Sequence, residues 1–450
     1  MMKPAANNTS LFPGDFDKTQ RQSKQILICQ AYSAYNSGEV AIVISLLETI
    51  RKIAPDAEIS IMTPSPEQAE RKYSKYLVKV YPRLLSMSSQ GHKGVDRLFD
   101  FSKLMLKAFS YLVRLKIDNF IISSTSKVAF DLFRKADFVI IAGGGTFGGA
   151  KYRSLTGNLF PIYLAKKLGK KVMVYGPSVE PFTSKVVKVA TKYILNMADL
   201  ITVREELTFD LLKSLRITAP LHLTADPAFL IGNEPLSAGR SLLEEAGIPM
   251  ATDKLMIGMT IRDWNFPREK NSSSKRKMYL NALQQTIEKI LDARDDVLIV
   301  IFDTSINASF GDDDRVIASQ IKMKLRPNLR NRVYLLTRDY TPHETKAMIG
   351  NTEIFIATRF HSAVFALSMG IPLLMVAPEP HKNHGIMKMM DLTDYTMDAG
   401  SVTSDKLFAV VSRLIAQRDR VAEHINERLS LIRELSLKNE DHLNSLMNQM

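Results

Sequence analysis

The residues best suited to chemistry crowd into one stretch, IATRFHSAVFALSMGIPLLMVAPEPHKNHGIMKMMDL at 356–392. Arg359 and His361 stand just beyond one apolar run, and Lys382 follows the next, between His381 and His384. Arginine and lysine hold phosphate or carboxylate oxygens. An imidazole moves protons near neutral pH. A lone histidine is usually structural, but three histidines with two cations at strand ends predict one cation-rich pocket. A metal site is a weaker reading, because Asp391 and Asp394 lie beyond the helical turn that His384 opens.

Other candidates fall at predicted strand ends, where open α/β sheets bind ligands. Asn36, Gly38 and Glu39 lie between the first strand and the first helix. Gly38 permits a close backbone approach, and such a helix start either holds an anion on free N–H groups or is a simple capped turn. Gly143, Gly144 and Gly145 follow DFVIIA directly. Three glycines permit φ > 0 and expose N–H groups to a phosphate or carboxylate. Their spacing is not that of a dinucleotide fingerprint, and there is no P-loop lysine. Arg204 ends LITVR and Arg262 ends MIGMTIR. Each suits a bound anion or an interdomain ion pair.

The elements that must position these residues alternate short apolar strands with amphipathic helices. QILIC, EISIM, DFVIIA, KKVMVYG and DLITV read as one strand series. KLMIGMTIR, DVLIVIF, RVYLL, EIFIA and PLLMV read as a second. Helices are expected at 39–52, 274–292, 313–326, 342–350 and 361–369. This is the pattern of parallel, doubly wound sheets, met twice. The expected division is a flexible leader at 1–24, a Rossmann-like domain at 25–220, a second at 233–403 and C-terminal helices at 404–450.

Composition sets outer bounds. A chain of 450 residues suits two domains. A single cysteine, Cys29, excludes an intramolecular disulfide and a cysteine-based zinc site and fits a reducing compartment. No apolar run reaches membrane-spanning length, and the polar first residues do not read as a secretory signal. A cytoplasmic protein is expected, with the inner face of the membrane as the other setting. The formal net charge is +13. It suits a solvated surface, an anionic substrate or an anionic membrane; the basic residues form no dense block, so nucleic acid is not expected. The stretch at 94–116, with Leu98, Phe101, Leu104, Met105, Phe109 and Leu112 beside lysines and arginines, reads as a core-packed helix or as one lying on a membrane.

Taken in order, NSGEVAI, DFVIIAGGGTF, YGPSVEPF, ITVREELTFDLL, TADPAF, TIRDW, DYTPHETKAMIGNTEIFIATRFHSAVFALSMGIPLL and HKNHGIMKMMDL resemble the polysaccharide pyruvyl transferase family over about residues 26–395. The resemblance implies a glycosyltransferase-B-like fold, with two Rossmann-like domains facing a cleft. It implies phosphoenolpyruvate as donor, a sugar or lipid-linked oligosaccharide as acceptor, and a pyruvate ketal as product. Arg359 and His361 match the family's Arg-x-His segment, and Lys382 its downstream lysine. Arg204, Arg262, Arg359 and Lys382 are then the cations for the donor. His361 is the expected acid/base, with His384 as second candidate and Arg359 stabilising the departing phosphate. No cofactor or metal is required. Two departures stand out. Gly38-Glu39 replaces the usual Gly-Asp, and Ala377-Pro378-Glu379-Pro380-His381 lacks a tyrosine common before the lysine. Two alternatives remain open: a sugar-nucleotide glycosyltransferase, with Glu379 as the ribose carboxylate, and a non-catalytic glycan-assembly relative.

Overall fold

The computed structural model describes residues 23–31, 33–83, 124–148, 158–250, 253–267, 269–308 and 311–449. The expected leader, apart from its last two residues, and the amphipathic stretch at 94–116 lie outside the described residues.

The apolar runs form two parallel sheets. In the first half the strands are β1 (Gln25–Cys29), β2 (Glu58–Thr63), β3 (Lys79–Pro82), β4 (Phe138–Ala142), β5 (Gly145–Gly148), β6 (Lys171–Tyr175), β7 (Ser178–Glu180), β8 (Leu200–Val203) and β9 (Leu221–Leu223). Seven of them lie in the order β3-β2-β1-β4-β6-β8-β9, while β5 pairs only with β7. The second half holds β10 (Leu255–Thr260), β11 (Val297–Phe302), β12 (Ile306–Asn307), β13 (Asp312–Asp313), β14 (Val333–Leu335), β15 (Ile354–Ala357), β16 (Leu373–Ala377) and β17 (Thr396–Asp398). Its main sheet runs β14-β11-β10-β15-β16-β17. Helices cover both faces of such sheets, which is why β4, β10, β11, β15 and β16 are buried along their whole length and read as unbroken apolar runs.

In each sheet the winding direction reverses once, between β1 and β4 and between β10 and β15. The crevice beyond the strand ends at such a reversal is where this architecture binds ligands. Gly38 follows β1, Arg262 follows β10 and Arg359 follows β15, so both crevices contribute candidates.

The first sheet extends past the boundary drawn at Pro220, because β9 pairs with β8. The chain then crosses between the halves through Ala225–Ile231, buried in the same apolar cluster as Ile42, Ile257 and Leu429. Lys346, almost fully buried, donates to the Ile231 carbonyl at 2.9 Å and pins this crossing. The helix Ser404–Ala416 packs on the helix Ser272–Ala293 of the second half. The last helix, Arg418–Asn448, returns to the first half: Ser436 Oγ donates to the Asp226 carbonyl and Asn439 Nδ2 to that of Ala225. Ile425, Leu429 and Ile432 are buried on this helix. At about 1.5–3 kcal/mol per fully buried aliphatic side chain, apolar burial dominates the docking and the polar pair fixes its register.

Candidate active site

A cavity of about 210 Å³ opens where the two halves meet, bounded by Asn36 and Glu39 from the first and by Arg262, Arg359, Phe360, His361, Glu379 and Lys382 from the second. Its floor is stitched across the halves. Ser37 N donates to the Thr304 carbonyl at 2.9 Å, Ile306 N to the Tyr35 carbonyl at 3.0 Å, and Asn307 Nδ2 to Ser33 Oγ at 2.9 Å. The helices Phe360–Ser368 and Pro380–Met389 both begin at this cavity, and neither Arg359 nor Glu379 at their N-caps makes a side-chain capping bond. Their amino ends add positive potential there.

His361 is the most enclosed of the lining groups with acid–base chemistry. Its ring lies against Gly38, where a Cβ would overlap it. Behind it Arg204, fully buried, donates through Nε to Ser178 Oγ at 2.9 Å and through Nη1 to Asp226 Oδ2 at 2.7 Å. Arg204 Nη1 also lies 3.4 Å from His361 Nε2. Asp226 Oδ2 lies 3.7 Å from the same nitrogen. Arginine only donates, so the nearer contact favours the tautomer in which Nε2 accepts and the proton is on Nδ1, the edge beside Gly38. Burial lowers the imidazole pKa to about 3; Asp226 opposes this, and Arg204 and Lys382 add to it. The ring is therefore neutral near pH 7 and suited to donating a hydrogen bond rather than to giving up a proton.

Glu39, on the first turn of the helix Ser37–Ile53, shows the opposite perturbation. Burial raises its pKa to about 7, moderated by Arg204 and Lys382, while Asp226 and Glu379 push it further up. A carboxyl group that is half protonated near neutral pH is a competent acid and base. Two titratable groups in one cavity with oppositely displaced pKa values mark a division of roles.

The cations are all held by carboxylates. Arg262 Nη1 and Lys382 Nζ reach Glu379 Oε2 at 2.9 and 2.6 Å. Burial acts to raise the Glu379 pKa, but these two neighbours hold it far below the usual carboxylate range. The carboxylate that a ribose would need is thus already engaged. Arg359 forks onto Asp312 and Asp314, with Nη2 at 2.5 Å from an oxygen of each. Asp314 is buried and anchors the loop further by accepting from Thr304 N and Ser305 N. Arg359 therefore ties the β15 end to the loop before the helix Asp314–Lys324, with its charge already balanced.

The other expected site residues fall elsewhere or take a different part. Asn36 lines the cavity, yet its Oδ1 accepts from the Gly38 and Glu39 amides, so this helix start is a capped turn. Gly143 and Gly144 are not at positive φ. A Cβ on Gly143 would overlap the Tyr175 carbonyl, Gly144 O accepts from Ser178 N, and Gly145 belongs to β5. Gly143 thus permits close approach of the Tyr175–Gly176 backbone, and neither Gly143 nor Gly144 lines the cavity. His384 pairs with Asp398 at 2.7 Å, and its side chain is about 38% exposed; His381 Nε2 is buried without a partner. Only one of the three histidines reaches the cavity. Asp226, Asp312, Asp314 and Ser178 were not singled out from the sequence, although Asp226 stands in TADPAF at the end of β9.

Two facing doubly wound sheets with a cation-lined cavity at their reversals define a glycosyltransferase-B-like enzyme. The chain matches the polysaccharide pyruvyl transferase family over residues 36–380, and it belongs to that family. It is an enzyme of pyruvyl transfer by that membership. It is 23% identical over 421 residues to the amylovoran biosynthesis protein AmsJ of Erwinia amylovora, covering 89% of this chain and 94% of that one. Among solved structures it resembles Anabaena Alr3699/HepE in complex with UDP-glucose, with TM-score 0.56, 11% identity, 95% of this chain and 100% of that one. It also resembles the UDP-GlcNAc 2-epimerase of Neisseria meningitidis bound to UDP-GlcNAc, with TM-score 0.55, 13% identity, 92% of this chain and 100% of that one. At such identities the likeness is one of fold. Among the described residues no helix is long and apolar enough to cross a membrane.

Proposed function

We propose that this protein transfers the pyruvyl group of phosphoenolpyruvate to two hydroxyls of one sugar in a cell-surface polysaccharide or its lipid-linked precursor, forming a cyclic ketal. The observation that carries this reading is the size and lining of the cavity. About 210 Å³, flanked by Arg262, Arg359 and Lys382, suits a three-carbon phosphoester. Pockets for larger ligands run to about 300–1,000 Å³.

The chemistry needs a proton on the methylene carbon, which leaves C2 open to attack. Glu39 supplies that proton from its protonated form. An acceptor hydroxyl adds to C2 and returns its proton to Glu39. The C2–O bond to phosphate then breaks, and a second hydroxyl closes the ketal. Its proton leaves with the phosphate, so trianionic donor and neutral diol become a monoanionic ketal and hydrogen phosphate. Lys382 and Arg262 bind donor oxygens by exchanging part of their pairing with Glu379. Neutral His361 donates a hydrogen bond to charge that develops on the donor, and Arg204 and Asp226 fix its tautomer and position.

The test is phosphate release from phosphoenolpyruvate with a panel of saccharide acceptors, run in D₂O. One deuterium in the product methyl group is expected. Release of nucleoside diphosphate from a sugar nucleotide, with none of phosphate from phosphoenolpyruvate, would overturn the reading.

A further inference from the structure

A second cavity, of about 430 Å³, adjoins the first, and Glu379 lines both. We infer that this second cavity is the acceptor subsite, and that it binds an uncharged pyranose face-on against Trp264. The inference rests on the donor reading above, since it treats the two cavities as one active site.

The lining selects the ligand class. Trp264, Phe266 and the rings of Pro378 and Pro380 supply an apolar wall. Aromatic faces suit the C–H face of a sugar ring, and ligand pockets combine such walls with a few placed polar groups. Among the described residues the charged groups here are mainly carboxylates. Glu269 and Asp398 line the cavity, and Lys275 beside them is paired with Glu269 at 2.9 Å. Ionised carboxylates only accept hydrogen bonds, so they match sugar hydroxyls and repel a phosphate or uronate. His384 holds Asp398 at 2.7 Å, which gives that histidine a positioning role in place of the expected catalytic one.

The two cavities are also joined through the indole. The Arg262 guanidinium lies over the Trp264 ring, 4.5 Å from its centroid, while Nη1 of the same arginine holds Glu379. One side chain thus links the donor cations to the sugar platform. The turn that presents the platform is conformationally costly. Phe266 adopts φ +43°, a left-handed backbone that a bulky residue rarely takes, and its ring is braced edge-on against Tyr279. Strain of this kind tends to mark ligand-contacting turns.

Trp264 is the only tryptophan of the chain, so its emission reports this cavity alone. The full-length protein is titrated without donor against the methyl glycosides of glucose, galactose, mannose, N-acetylglucosamine and N-acetylmannosamine. Glucuronate and inorganic phosphate are the anionic controls. At least one neutral glycoside is expected to change the emission saturably, and Asp398→Asn, which keeps the indole, to weaken that response about tenfold or more. Trp264→Ala should raise the KM for that sugar about tenfold and the KM for phosphoenolpyruvate by much less, because the indole reaches the donor cations only through Arg262. No response to any glycoside, or a preferential response to glucuronate or phosphate, overturns the inference. So does an unmoved sugar KM in Trp264→Ala, an outcome that would leave the donor reading standing. A saturable glycoside response without phosphate release from phosphoenolpyruvate would instead remove the donor reading and keep the sugar subsite.

Discussion

Gly38 lies flush against the imidazole of His361, so that a Cβ built at position 38 would overlap the Cβ, Cγ and Nδ1 of the histidine. The contact joins the first turn after β1 to the first turn after β15, one from each half of the molecule. Gly38→Ala must therefore push the ring or the two halves apart. Overpacking of this sort costs about 1–3 kcal/mol. The expected result is a measurable fall in Tm with a disproportionate fall in kcat. Thermal unfolding and steady-state kinetics on one preparation would check it; wild-type turnover in the alanine variant would show that the contact does not position the ring.

Arg359 offers a test of fold against chemistry. Its fork is spent on Asp312 and on buried Asp314. Lysine keeps the charge but cannot span two carboxylates with a planar fork. Arg359→Ala leaves Asp314 buried without its cation and should cost about 3–5 kcal/mol, with Arg359→Lys between that and wild type. Denaturant unfolding is the measurement. A variant of unchanged stability but abolished turnover would make Arg359 a direct donor contact.

The fold was legible in the sequence because parallel strands buried on both faces leave unbroken β-branched runs. DVLIVIF and EIFIA could be read without knowing their neighbours. The strands β9 (LHL) and β17 (TMD) are short and hold no β-branched run, so they carry too little pattern to be seen, whereas β14, equally short, stands out within RVYLL; β9 fell outside the boundary for that reason. In the site, Arg359, His361 and Lys382 were visible as residue types at strand ends. What they touch was not. Asp312 lies 47 positions before Arg359 and Asp226 lies 135 positions before His361. Such pairings exist only once the sheets are assembled. His384 was misplaced for a simpler reason: on the helix Pro380–Met389, Lys382 and His384 are two residues apart and face different sides.

Lys382 and Glu379 should act on donor binding in opposite directions. Lys382→Ala removes a cation from the cavity and leaves Glu379 to Arg262 alone. Where a charge-assisted bond is made equally in ground and transition states, its removal raises KM with little change in kcat, here by about tenfold or more. Glu379→Gln keeps the shape and frees two cations from their carboxylate, so the KM for phosphoenolpyruvate should fall. Initial-rate measurements at fixed acceptor decide it, and a rise in KM in both variants would mean that Glu379 orders the cations rather than competing with the donor for them.

The pH dependence separates Glu39 from His361. In the free enzyme Glu39 titrates at about 7 and must be protonated to start the reaction. The wild-type kcat/KM should therefore fall as pH rises through that value. His361, at about 3, stays neutral across the working range and adds no limb of its own. Glu39→Gln should lower kcat by about 10²–10⁴-fold and abolish the alkaline fall. His361→Ala should cost about 10²–10³-fold, as for loss of one preorganised donor, and keep the fall; His361→Gln, which can still donate, should lose less. Stability carries the same proton count. Between its ordinary value of 4.5 and about 7, Glu39 holds a proton in the folded state that the unfolded chain releases, so stability declines as pH rises through that window. His361 acts in the other sense. Between its folded value of about 3 and its ordinary 6.5, the unfolded chain binds the extra proton, so stability is lost as pH falls. Removing Glu39 should flatten the neutral side of the stability profile and removing His361 the acid side. An alkaline limb that survives in Glu39→Gln but vanishes in His361→Gln would exchange the two roles and return the proton transfer to the histidine.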